Sequence, residues 1–120
     1  MKRLIMIYEA FDVVVVPFPF TDRATTKRRP ALVLSDAAIF NRPVGQAVMA
    51  MITSARNSDW PLDVEIEDLD AAGLPAPSIV RMKLFTLDEK LVLRKAGALA
   101  GADRGRVSSA LRKLLQRHFA

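Results

Sequence analysis

The residues best suited to chemistry in this chain are cations and hydroxyls. Arg29 stands immediately before Pro30, at the mouth of an apolar run. A planar guanidinium held there can stabilise the extra charge on a phosphorane-like transition state. The same side chain also reads as an ordinary solvated loop cation. Lys27 and Arg28 sit beside it and read either as contacts to backbone phosphates or as plain surface charge. Thr53 and Ser54 close another apolar run, QAVMAMITS. A hydroxyl there can hydrogen-bond a phosphate or a ribose 2′-OH, although Ser and Thr at strand ends more often cap their own turn. Arg81 and Lys83, within IVRMK, fall on one face by strand alternation, opposite Met82, as a second pair of substrate-facing cations or as a solvated strand face. Phe18, Phe20, Trp60 and Phe85 could stack on unpaired bases. Most aromatics in a small fold fill the core, so Trp60 and Phe20, in or beside loops, are the two candidates kept.

Two other sets carry less. His118 is the only histidine and could act as a base in phosphodiester cleavage. It falls in the last turn of a terminal helix, where a cation meets the helix dipole favourably, and the structural reading is preferred. Asp63, Glu65 and Glu67 alternate with Leu62, Val64 and Ile66. That array reads as the wet face of a strand rather than as a metal site.

The elements that must position these residues follow from pattern. Tyr8 to Pro17 reads as a first strand, with Val13 to Val16 buried on both faces. Pro17 and Pro19 should stop regular pairing. Thr21 to Arg29 reads as a polar, basic loop, and Ala31 to Ser35 as the second strand, Pro30 extending the backbone at Arg29. A helical turn starting at Asp36 is followed by breakers at Asn41, Pro43 and Gly45. Further strands are expected at Gln46 to Thr53, Leu62 to Glu67, Ser78 to Met82 with Leu84 to Leu87 (two strands or one bent strand), and Leu91 to Leu99, the last weakened by Gly97. After Gly101 the period changes. Val107, Leu111, Leu114 and Leu115 form one helical face, with Asp103 as N-cap. Several short strands and one terminal helix predict a mainly β fold: a small, curved antiparallel sheet sealed by the helix, in a single domain spanning residues 1–120.

Composition narrows the partners. The net charge is +5, and the 18 Lys and Arg residues avoid the interval between Asn57 and Val80, which holds six acids. An acidic lobe beside basic ones suits directional binding of a polyanion, nucleic acid above all. With no cysteine and one histidine, disulfides, thiolate sites and histidine-rich metal sites are not expected, nor is any cofactor. No apolar run approaches the ~20 residues of a membrane helix, and the apolar segment from Leu4 to Tyr8 is short for a signal peptide. The expected location is the cytoplasm, with no membrane partner.

Three segments carry a family resemblance. FDVVVVPFPFTDRATTKRRPALVLS, SIVRMKLFTLD and GALAGADRGRVSSALRKLL, in that order and spacing, resemble the MazF/PemK toxins of type II toxin–antitoxin systems. The resemblance implies an SH3-like barrel of about five to seven antiparallel strands that forms a homodimer. It implies a metal-independent, sequence-specific endoribonuclease acting on single-stranded RNA such as messenger RNA. Cleavage would proceed by attack of the 2′-OH on the adjacent phosphorus, leaving 2′,3′-cyclic phosphate and 5′-OH ends. Arg29 matches the catalytic arginine of the family's RP motif, and Thr53 its catalytic threonine. Arg81 matches an arginine that some relatives carry. Lys83 stands where those relatives have an aspartate, and the loop after the first strand lacks the histidine of others, so the general base is unassigned. The resemblance also implies an acidic, partly disordered antitoxin over the basic groove. Two other readings stay open: a non-enzymatic DNA gyrase poison of the CcdB type, built on the same barrel, and a nucleic-acid-binding barrel without activity.

Overall fold

The computed structural model of the chain describes residues 6–18, 27–57 and 59–119. Six strands form one antiparallel sheet: β1 (Asp12–Phe18), β2 (Lys27–Val33), β3 (Gln46–Ser54), β4 (Val64–Glu65), β5 (Ser78–Asp88) and β6 (Arg94–Ala98). Their order across the sheet is β4-β5-β3-β2-β1-β6. The sheet curls into a half-barrel. A π-helical turn (Ala37–Asn41) runs into α1 (Arg42–Val44) between β2 and β3, α2 (Leu69–Ala72) lies between β4 and β5, and α3 (Gly101–Phe119) closes the chain. The expected small antiparallel barrel with a C-terminal helix is the observed architecture.

Strand alternation divides the core in two. Val13, Leu32, Ala50, Ile52 and Val80 face α3, where Val107 and Ala110 meet them. Val14, Val16, Ala31, Val33, Ala47 and Met49 fill the other face with Tyr8 and Leu87. Val13, Val14 and Val16 are fully buried, each contributing about 1.5–3 kcal/mol of apolar burial. The β-branched run therefore serves both faces, as its composition predicts.

Several boundaries differ from the pattern, each for a local reason. β1 begins at Asp12, not Tyr8, because a tight turn precedes it: Glu9 donates its N–H to Asp12 Oδ2 (2.9 Å) and Asp12 donates to Glu9 O (3.1 Å). Pro17 does not end pairing; it lies opposite Arg28, and Phe18 opposite Lys27. Val15 O accepts from Leu93 on the β6 side, so Pro17, of the same parity, turns its missing donor to that side. The β1–β6 ladder has already ended at Val15↔Arg94, and no bond is lost. By the same parity Pro30 points toward β3 one residue beyond the last β2–β3 pair, Ala31↔Met51. Lys27, Arg28 and Arg29 are thus strand residues rather than loop residues.

The expected strand from Leu62 to Glu67 shrinks to Val64–Glu65, since Leu62 sits at φ 68° in a turn. β5 is continuous, but Met82 and Lys83 have no partners on β3: the register passes from Met51↔Arg81 to Ala50↔Leu84. This bulge is the bend that the sequence suggested. β6 is shorter than Leu91 to Leu99: Leu91 belongs to a 3₁₀ turn, Glu89–Leu91, and the strand runs only from Arg94 to Ala98. Gly97 packs against α2, where a Cβ would lie 2.3 Å from Ala71 O. On α3 the buried face is Val107, Ala110 and Leu111, while Leu114 and Leu115 stay exposed. Asp103 is inside the helix and caps a different segment: it accepts the backbone N–H groups of Glu67 (3.1 Å) and Asp68 (3.0 Å). Asp36 does cap the π-helical turn, accepting from Ile39 N–H at 2.8 Å.

Candidate nucleic-acid interface

Register decides which candidate residues meet. Ala31 faces Met51, and Met51 faces Arg81. Two residues further along β2 and β3 on the same face come Arg29 and Thr53, and Thr53 faces Ile79, which faces Glu65. Two adjacent rows therefore cross one side of the sheet, Ala31–Met51–Arg81 and Arg29–Thr53–Ile79. Arg29 lies opposite Val16, fully buried, while its own side chain is exposed. Its backbone is thus fixed in the ladder and its guanidinium is open to solvent. Lys27 shares this face by alternation and is also exposed. The row geometry brings Arg29, Lys27, Thr53 and Arg81 to one side.

The same alternation separates other candidates. Arg28 lies on the opposite face, in the pair with Pro17. Ser54 also turns away from Thr53, and its Oγ accepts the N–H of Arg56 (3.2 Å), capping its own turn. Lys83 is exposed in the β5 bulge with no partner across the ladder. Phe20 lies outside the described residues, as does the side chain of His118. Among the described residues, Lys27, Arg28 and Arg29 make no ion pair, and no group of three acidic or histidine side chains could hold a metal ion.

Thr53 is half-buried, and its Oγ1 accepts from the Asn57 side-chain amide in the turn that follows. This bond fixes the hydroxyl and leaves it able to donate. Arg81 differs from the free cation expected of a solvated strand face. Its Nε and a terminal nitrogen reach both oxygens of Asp63 at 3.2 and 3.0 Å, and its side chain is 11% exposed. Its Cζ lies 5.2 Å from the centroid of the Trp60 ring. Trp60 also donates its backbone N–H to Asp63 Oδ2 at 3.0 Å. Burial tends to raise the Asp63 pKa; the hydrogen bonds from Arg81 and Trp60 and the charge of Arg81 outweigh it and hold the carboxyl below its usual value. Sequence alternation placed Asp63 on the wet face with Glu65. The signal that could have marked it is the Trp60-Pro61-Leu62-Asp63 turn, with Pro fixing the second position.

An exposed arginine and an ordered hydroxyl lie on one side of a half-barrel sheet, with a second arginine in the next row: the class is a small basic β-barrel. Comparison with known proteins gives the family. The model of the PemK-like, MazF-like toxins of type II toxin–antitoxin systems matches residues 9–115, and the chain belongs to that family. A search of curated protein sequences gave no match. Among solved structures, MazF in the MazE–MazF crystal (Form-III) of Deinococcus radiodurans superposes with a TM-score of 0.73 at 26% identity, covering 92% of this chain and 98% of that one. MazF alone from the same organism (Form-I) gives 0.71 at 24% identity, with the same coverage. An endoribonuclease from a mycobacterial species gives 0.72 at 18% identity, covering 95% and 96%; at that identity the likeness is one of fold.

Proposed function

We propose that this toxin is a metal-independent endoribonuclease that cleaves single-stranded RNA by internal attack of the 2′-OH. The 2′-oxygen forms a bond to the adjacent phosphorus as the bond to the 5′-oxygen breaks, leaving a 2′,3′-cyclic phosphate and a 5′-OH. The observation that carries this reading is the placement of Arg29 and Thr53 on one side of the sheet, two residues beyond the Ala31↔Met51 pair on adjacent strands. Arg29 neutralises the charge that builds on the phosphoryl oxygens. Thr53 holds the phosphate or the attacking hydroxyl. Lys27 engages a flanking phosphate, and Lys83, exposed in the β5 bulge, adds a further cation for the RNA backbone, while Arg28 and Ser54, on the other face, take no part.

Family membership supports an antitoxin partner. MazF of Deinococcus radiodurans was crystallised with MazE, and a mycobacterial endoribonuclease with its cognate antitoxin. An acidic, partly disordered antitoxin that covers Lys27 and Arg29 fits the charge of this face. The working unit is a homodimer in the cytoplasm.

The test is cleavage of a mixed-sequence single-stranded RNA by the purified protein in EDTA, with folded Arg29→Ala beside it. The wild type should give fragments ending in cyclic phosphate, and the variant should be slower by about 10²–10³-fold. Undiminished cleavage by Arg29→Ala would remove Arg29 from the site. A folded wild type that leaves RNA intact but blocks gyrase supercoiling would return the protein to the gyrase-poison class.

A further inference from the structure

Trp60 is held at three points around one carboxylate. Its backbone N–H donates to Asp63 Oδ2, its carbonyl accepts from Asp63 N–H at 3.3 Å, and Arg81, itself fixed on both Asp63 oxygens, lies over its ring. Pro61 and Leu62 make the turn between Trp60 and Asp63, with Leu62 at φ 68°. A leucine in the left-handed region is strained and persists only where the surroundings over-determine it. Trp60 is nonetheless 42% exposed. A large aromatic ring that is rigid, backed by a guanidinium and left in solvent is the form of a stacking platform, not of a core residue.

Its place is as telling as its rigidity. Arg81 and Thr53 are diagonal neighbours across β3 and β5, since Thr53 faces Ile79, two residues before Arg81. Such positions lie about 7–8 Å apart on one face. Arg81, which carries the indole, is thus one diagonal step from Thr53 on the face assigned to the phosphate.

We propose that Trp60 is the platform for one unpaired nucleobase next to the scissile phosphate, and that Asp63 and Arg81 are its positioning residues. Arg81 then acts through Trp60, not as a phosphate-binding cation. The inference rests on the ribonuclease reading for its substrate, single-stranded RNA. It deepens that reading by naming what holds the base.

Trp60 is the only tryptophan in the chain, so its fluorescence reports this site alone. The wild-type protein is titrated with a short mixed-sequence RNA carrying 2′-fluoro groups, which cannot attack the phosphorus, while anisotropy of a labelled copy reports binding. Indole emission should be quenched with the same saturation as anisotropy. In cleavage of unmodified RNA, Trp60→Ala should raise KM by about 5–150-fold, the change carried by KM rather than kcat, and Trp60→Phe should recover part of it. Asp63→Asn and Arg81→Lys should weaken the quenching reached when anisotropy is saturated, whereas Arg29→Ala, though it needs more RNA to saturate, should reach the wild-type end point. RNA that saturates the anisotropy signal without altering Trp60 emission overturns the platform, as does an unchanged KM in Trp60→Ala. Quenching by a wild type that cannot cleave keeps the platform and sinks the ribonuclease reading. Cleavage without quenching sinks the platform alone, and absence of RNA binding sinks both.

Discussion

Asp103, three residues into α3, accepts the backbone N–H of Glu67 at 3.1 Å and thereby ties the terminal helix to the chain leaving β4. Its other oxygen, Oδ2, takes the N–H of Asp68, and Arg106, one turn further on, donates to Oδ1 beside the Glu67 bond. The carboxylate is almost wholly buried and fully engaged. Asp103→Ala would leave two N–H groups and a guanidinium without their acceptor. Each lost partner of this kind costs about 1–3 kcal/mol. The expected result is a drop of about 2–4 kcal/mol in urea unfolding, with less further loss when Arg106→Ala is added to it.

The Thr53 hydroxyl can be removed at nearly constant shape. Thr53→Val keeps the branched strand residue and leaves only the exposed amide of Asn57 without its acceptor. Stability should therefore hardly move. If the hydroxyl bonds a charged phosphate, RNA cleavage should fall by about 10–150-fold, the value of a hydrogen bond to a charged group. Thr53→Ser should retain most of the activity. Single-turnover kinetics on one RNA, with thermal melts alongside, measures both quantities.

Gly97 and Gly73 let β6 and α2 touch backbone to backbone. A Cβ on Gly97 would come within 2.6 Å of Ala72 C as well as close to Ala71 O, and Gly73 adopts φ 72°. Gly97→Ala must push α2 from the sheet, at a cost of about 1–3 kcal/mol. The substitution should lower the urea midpoint without changing its slope. An unchanged midpoint would mean that α2 yields freely.

Glu89 gives a pH dependence with a definite sign. It is buried, its Oε2 accepts Tyr8 N–H at 2.8 Å, and its Oε1 has no hydrogen-bond partner among the described residues. Burial raises its pKa; the Tyr8 N–H and Arg42 pull it down and Asp88 pushes it up, with the net shift upward. An acid with a raised folded-state pKa favours folding below its unfolded value, near 4.3, and loses that contribution as pH rises through the folded value. Glu89→Gln removes the charge and keeps an acceptor for Tyr8. The variant should gain most over wild type at neutral pH, and the difference should shrink toward pH 4. Thermal melts across that range read it directly.

Much of this protein follows from its residue pattern, because burial patterns are local. The β-branched run of β1, the apolar β3 and the change of period after Gly101 mark a sheet and a helix, since each must bury a face of fixed periodicity. The three matching segments pointed to the family that the comparison gives. What sequence could not supply was pairing. Pro17 and Pro30 looked like strand ends, yet the neighbouring ladders stop just short of them, so β1 and β2 continue and carry Lys27 to Arg29 into the sheet. Cross-strand register then puts Arg29 and Thr53 on one side and sends Arg28 and Ser54 to the other. The same holds for Asp63 and Asp103. One reads as a surface acid and the other as a helix cap, but tertiary packing gives each a partner 18 or 35–36 residues away. Side-chain chemistry is written residue by residue; which groups share a face depends on hydrogen-bond register between distant segments, and only the folded sheet sets that.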